Sequence, residues 1–242
     1  MKVLIVYYST YGHVYRMATH VAEGVKEIPG AEPVVRTVPE LIPKSVIDSR
    51  DDMRAGRAMQ QGVPLVTLDD FREAGAYAFG TPTRFGNVSA QLKNQIDQLT
   101  SLWLNGELEG KAAGIFVSTS SLHGGQETTI LSLMAPMLHL GMILVGVPYS
   151  VQELFTTQGG GSPYGPGHVA GADNKRQIDE QEAAICRALG RRPATVGLKL
   201  QQPEQRPLDC RRLPFGRLPP AILTETSHEI SSANLRRRDE QP

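Results

Sequence analysis

Apolar residues recur along this chain in two rhythms. "KVLIVYY" (2–8) is an almost unbroken, β-branched run, the pattern of a strand covered on both faces of a parallel sheet. From Val14 the spacing lengthens, and Val14, Met17, Ala18, Val21, Ala22 and Val25 fall on one face of a helix. The alternation continues. Strands are predicted near 33–38, 74–81, 111–119 and 141–148, and helices near 88–103, 126–140 and 175–190. Strands alternating with helices imply βαβ units, and right-handed crossovers place helices on both faces of the sheet. The expected fold is a doubly wound α/β three-layer sandwich.

Two stretches exceed that minimum. Residues 39–66 are polar and proline-marked and read as an insertion, partly helical through "SRDDMRAGRAM". Residues 156–172, "TTQGGGSPYGPGHVAGA", have the glycine and proline content of a loop, and a loop of that length in a compact domain is usually functional or disordered. The periodicity fades near Leu200. We therefore expect one domain over 1–200 and a disordered, Pro- and Arg-rich tail over 201–242.

Composition narrows the function classes. Of 242 residues, 40% are hydrophobic, enough for a proper core, and 25 acidic side chains balance 25 basic ones. Zero net charge offers no electrostatic reason to expect nucleic acid or an anionic membrane as partner. The apolar start is too short for a membrane span, and Cys186 and Cys210 match neither a disulfide framework nor a metal-ligand spacing. A soluble cytoplasmic protein is expected. His13, His20 and His168 show no metal spacing either, and G-x-S-x-G is missing, so a metal centre and a serine hydrolase are both unsupported.

Open α/β sheets bind ligands beyond the carboxyl ends of their strands. The three relevant loops read "STYGHV" (9–14), "TPTRFGN" (81–87) and "STSSLHGGQE" (118–127), all rich in hydroxyls or glycine. The first contains no lysine and is neither a Walker motif nor G-x-G-x-x-G. A helix N-terminus wrapped by small residues can nevertheless hold a phosphate with neutral donors, here Ser9, Thr10 and the backbone around Gly12. A plain turn with an N-cap would read the same way. "TPTRFGN" sets Arg84 beside Phe85, a pair suited to the edge and face of a planar heterocycle. In the third loop, the serines, Thr119 and Gly124-Gly125 suggest backbone amides aimed at the far edge of that ring. Together the three loops favour a mononucleotide with a flat ring. By pattern alone, Trp103 reads as a core residue and His139 as a side chain answering a helix dipole before Gly141.

The segments "VYYSTYGHVYRMA", "FGTPTRFGNVSAQLKNQIDQ", "LWLNGELEGK", "STSSLHGGQETTI", "LHLGM" and "SPYGPGHVAG" stand in an order and spacing that resembles the WrbA family of flavodoxin-like NAD(P)H:quinone oxidoreductases, over about residues 1–200. The resemblance implies a five-stranded sheet in the order 2-1-3-4-5 and non-covalent FMN. It also implies a homotetramer whose active sites are lined partly by neighbouring subunits. Ser9, Thr10, Tyr11, Gly12, His13 and Val14 would take the phosphate and ribityl end. Thr83, Arg84 and Phe85 would meet one edge of the isoalloxazine, and Ser118, Thr119, Ser120, Ser121, Leu122, His123 and Gly124 the other. His139 would approach the flavin as a candidate proton donor, Tyr11 would contact the nicotinamide nucleotide, and Trp103 would border the quinone pocket. The implied chemistry is a ping-pong cycle in which NAD(P)H and then a quinone occupy one slot. A one-electron carrier, or an FMN-binding regulatory protein without turnover, would share the phosphate loop.

Overall fold

A computed structural model of the chain describes residues 1–201. The elements alternate as the periodicity predicts: β1 (Lys2–Tyr7), α1 (His13–Lys26), β2 (Glu32–Thr37), α2 (Lys44–Asp48), α3 (Asp51–Met59), α4 (Leu68–Glu73), β3 (Ala76–Pro82), α5 (Ala90–Asp97) and α6 (Thr100–Leu104). The second half comprises β4 (Ala112–Thr119), α7 (Gln126–His139), β5 (Ile143–Leu144), α8 (Glu153–Thr156), β6 (Gly167–Val169) and α9 (Glu180–Leu200). All pairings are parallel, in the order β2-β1-β3-β4-β5. The expected flavodoxin-like order is observed. The expectation for the tail lies outside the described residues, apart from Gln201, which caps α9.

β1, β3 and β4 are buried on both faces, which explains their unalternated apolar text. One core packs Leu4, Val6, Phe79, Ile115 and Val117 against α5 and α7; the other packs Val3, Ile5, Ala78 and Phe116 against α1 and α9.

The structure departs from expectation at three places. The strand expected over 141–148 is ordered as β5 for only two residues. Val145 N–H still donates to Ala113, but Val147 N–H turns to Pro163, inside the following insertion. The upper edge of β4 is taken instead by β6, which registers Gly167 to Val117 and Val169 to Thr119. A strand therefore lies within the stretch expected to be all loop, and the fifth sheet position is filled in two pieces. The helix expected over 175–190 starts later, because Asp179 and Glu182 form a capping box. It also runs ten residues further, through Pro193, with Ala194 and Gly197 buried beyond that break. Finally, the single helical stretch expected over 88–103 is divided into α5 and the short α6.

Candidate active site

β1, β3 and β4 end at one rim, so the loops after them converge. A cleft there is lined by Ser9–Tyr11, His13, Val14, Pro82–Arg84 and Ser118–Ser120, with Ala170 and Asn174 closing one side. Ser118 C=O accepts from Thr83 N–H at 2.9 Å, and Thr119 C=O accepts from Ala170 N–H at 2.7 Å, so sheet-type bonds fix two of the loops.

The first loop is built to present donors. Among the described residues, none of the backbone N–H groups of Thr10, Tyr11, Gly12, His13 and Val14 has a hydrogen-bond partner. Gly12 turns the chain into α1 at φ 89, a left-handed conformation that favours glycine. The side chain of Ser9 is buried, and its Oγ has no partner either. Several unpaired donors around a buried orphan hydroxyl, at the positive end of a 14-residue helix, make a cradle suited to an anion. The residues present therefore fit the phosphate of a mononucleotide.

Thr10 is engaged otherwise. Its Oγ1 accepts from Arg84 Nη2 at 2.8 Å and donates to Tyr8 Oη at 3.4 Å, and Tyr8 donates to Glu40. Burial pushes the Tyr8 phenol up to about 12, so it stays neutral in this chain. Arg84 is thus folded back between the first two loops, its other arm on Thr83 C=O. Next to it Phe85 sits at φ 54 with a relative exposure of 107%, its ring presented entirely to solvent. Ser120 to His123 are exposed on the opposite side, and Thr119 Oγ1 donates to Ser121 C=O at 2.8 Å.

The insertion after β2 supports the cradle from behind. Gln60 Nε2 donates to Ser9 C=O at 3.0 Å, and Gly56 on α3 lies so near that a Cβ there would sit 2.5 Å from Thr10 O. Arg50, at the start of α3, lies over the Tyr11 ring, 5.7 Å from its centroid. Nothing in the local text of 39–66 marks these residues as part of a site.

His13 carries a second unforeseen feature. Its Nε2 meets Asn174 C=O at 3.0 Å and its Nδ1 meets His168 Nε2 at 3.2 Å, while His168 Nδ1 meets Glu182 Oε2 at 3.0 Å. Burial, then the neighbouring His168, push the His13 imidazole down to about 4. Burial opposes ionisation of Glu182, but bonds from His168 and Arg176 outweigh it and hold the carboxyl below its ordinary range. The sequence signal for Glu182 was the D-x-x-E capping box; His168 had none, lying 155 residues from its partner.

Trp103 and His139 are not at this cleft. Together they line a separate depression between α5, α6 and α7, with Ile96, Pro136 and Leu140. Trp103 is 44% exposed, against the core position its pattern suggested, because α6 is short and turns that side outward. Leu104, Leu131 and Leu138 are exposed on the same two helices. His139 does close α7, with Gly141 at φ 75 just beyond. Among the described residues no helix is long and apolar enough to cross a membrane, and no His/Cys/Asp/Glu group is arranged to hold a metal ion.

Residues 1–155 match the family model described as NADPH-dependent FMN reductase. A relative from Geobacter sulfurreducens named NAD(P)H dehydrogenase (quinone) is 46% identical over 202 residues, covering 83% of this chain and 99% of that protein. One of the same name from Syntrophobacter fumaroxidans is 47% identical over 204 residues, covering 83% and 98%. In fold, the chain is similar to a WrbA-like flavodoxin from Agrobacterium tumefaciens, with a TM-score of 0.56, 23% identity, and coverage of 82% of this chain and 98% of that one.

Proposed function

The chain belongs to the NADPH-dependent FMN reductase family, and we propose that it carries out the reaction for which its curated relatives are named, oxidation of NAD(P)H by a quinone, with FMN as cofactor. The observation that carries this reading is the cradle of unpaired N–H groups from Thr10 to Val14 around the orphan Ser9 hydroxyl, in one cleft with Pro82–Arg84 and Ser118–Ser120.

These residues have separable tasks. The cradle holds the phosphate with oriented backbone dipoles. Thr83 and Phe85 on one side, and Ser118 to Gly124 on the other, bound the space for a flat ring, and Arg84 brings a cation to the junction of the first two loops. Tyr11, backed by Arg50, offers an aromatic face to a nicotinamide nucleotide. Bound FMN supplies a two-electron store, so that NAD(P)H and a quinone can react at one place in turn.

Trp103 and His139 complete the site from another copy. Their own cleft is elsewhere, and they stand on a face with exposed Leu104, Leu131 and Leu138, an apolar surface of the kind that marks an interface. In a homotetramer, that face would cover the flavin end of a neighbour's cleft. Trp103 would then wall the quinone pocket and exclude water, and His139 would hold a proton for a quinone oxygen. The test is anaerobic spectroscopy of the flavin-loaded protein. NADH should bleach the yellow colour and benzoquinone should restore it; a flavin that NADH leaves oxidised would instead point to an electron carrier or a binding protein.

A further inference from the structure

Behind the phosphate cradle lies a chain of buried ionisable groups that the reading above leaves without a task. Glu182 and His168 have no exposed side-chain surface, and His13, the first residue of α1, is buried between them and the cleft. We propose that Glu182, His168 and His13 form one proton-holding unit that places a single positive charge behind the cradle when a phosphomonoester binds, so that the chain takes up a proton with FMN. His168 and Glu182 are positioning residues in this unit, acting through His13. The inference rests on the FMN reading and adds the means by which a loop without lysine meets a dianion.

Asn174 C=O can only accept, so His13 Nε2 must carry hydrogen. The ionised Glu182 carboxylate also accepts, so His168 Nδ1 must carry one as well. Those two protons are all that a neutral pair of imidazoles owns. The remaining nitrogens, His13 Nδ1 and His168 Nε2, face each other at 3.2 Å and need a third proton between them. Without it, two lone pairs oppose each other in a buried place. With it, the contact between the two imidazoles is satisfied and the pair bears one positive charge, balanced by Glu182. The arrangement is ready to receive that third proton.

The surroundings decide when that proton is held. Arg176 lies on Glu182 at 2.8 Å and approaches His168 Nδ1 at 3.4 Å, Arg16 stands one turn along α1, and Arg84 lies on the opposite wall. Asp179 is engaged by Arg176. In the ligand-free chain burial first, then the neighbouring His168 and Arg16, keep the third proton off His13 at neutral pH. A phosphate dianion in the cradle reverses the local field and draws the proton in. The sign follows: the unit's pKa is higher in the complex than in the free chain. The added affinity is therefore present at low pH and lost as pH rises through the pKa of the complex, by about tenfold per pH unit.

Isothermal titration calorimetry of the full-length apoprotein with FMN, in buffers of different ionisation enthalpy, tests this. At pH 8 the phosphomonoester is already dianionic, its second pKa being about 6, so any proton taken up comes to the protein. We expect uptake of about half a proton per FMN at that pH, none with riboflavin, and none in His168→Gln, whose affinity should fall about tenfold at pH 7 with a flattened pH profile. Nitrogen-15 NMR of the wild-type imidazoles, which needs no variant to fold, should show a shared imidazolium in the FMN complex and neutral rings without it. Binding of FMN with no buffer-dependent heat, two neutral rings in the complex, or unchanged uptake in His168→Gln would overturn the proposal while leaving FMN binding intact. Failure to bind FMN at all would remove both readings.

Discussion

The cleft at the strand ends and the depression between α6 and α7 are built on opposite principles. The cleft is polar and over-determined: sheet bonds continue into its loops, α3 presses on it from behind, and a buried Glu-His-His chain runs beneath it. Its donors suit an anion and a flat ring. The α6–α7 face is apolar and under-packed, with Trp103 and three leucines exposed. What it lacks is another surface. Cofactor affinity should therefore reside in the cleft, and turnover should require both regions.

Mutations that separate the two regions test this. The largest effect is expected from Gly56→Ala, whose Cβ would meet Thr10 O at 2.5 Å and displace the cradle. FMN affinity should drop about a hundredfold, or roughly 2.7 kcal/mol, with assembly unchanged by light scattering. Acid should likewise act on the cleft. His13, held neutral with its pKa near 4, costs the folded chain stability as pH falls from the unfolded-state value of about 6.5 towards 4, because the unfolded chain takes up the proton first. Glu182, with a depressed pKa, adds to the loss once pH falls below its unfolded value. Chemical denaturation of the apoprotein should show a decline of up to about 3 kcal/mol from His13 over that window, and His13→Gln should flatten it.

On the other face, Leu138→Asp should lower the oligomeric mass and cut quinone turnover about tenfold or more, while FMN affinity stays within about twofold. Trp103→Ala should reduce turnover with quinone and nucleotide by a similar factor without loss of bound flavin. Loss of FMN from either variant, with turnover per flavin intact, would contradict the division. The smallest effect is expected from Ser9→Ala. Because Oγ has no partner without ligand, stability of the apoprotein should hold or rise slightly, while FMN affinity falls severalfold.

Much of the scaffold was legible because buried parallel strands leave an unmistakable record: Val3–Tyr7 and Ala112–Val117 can be little else. The cradle was legible too, since Ser9, Gly12 and the following helix are consecutive in the chain. Legibility failed where distant segments meet. Nothing local announces that the insertion after β5 returns as β6 to pair with β4, or that His168 on it reaches His13. Arg50 and Gly56 sit in text that reads as surface helix. The end of α9 was misjudged because Gly190 and Pro193 are breakers by propensity, and burial of Ala194 and Gly197 outweighs them. Trp103 was misread by pattern because exposure of an aromatic depends on what else covers it.

The central claim is that three loops at one rim hold FMN without a covalent bond. Titrating the apoprotein with FMN and following quenching of flavin fluorescence tests it directly. The account predicts saturation at one FMN per chain with micromolar or tighter affinity, weakened about a hundredfold in Gly56→Ala. Unquenched fluorescence throughout, or binding that survives disruption of the cradle, would contradict it.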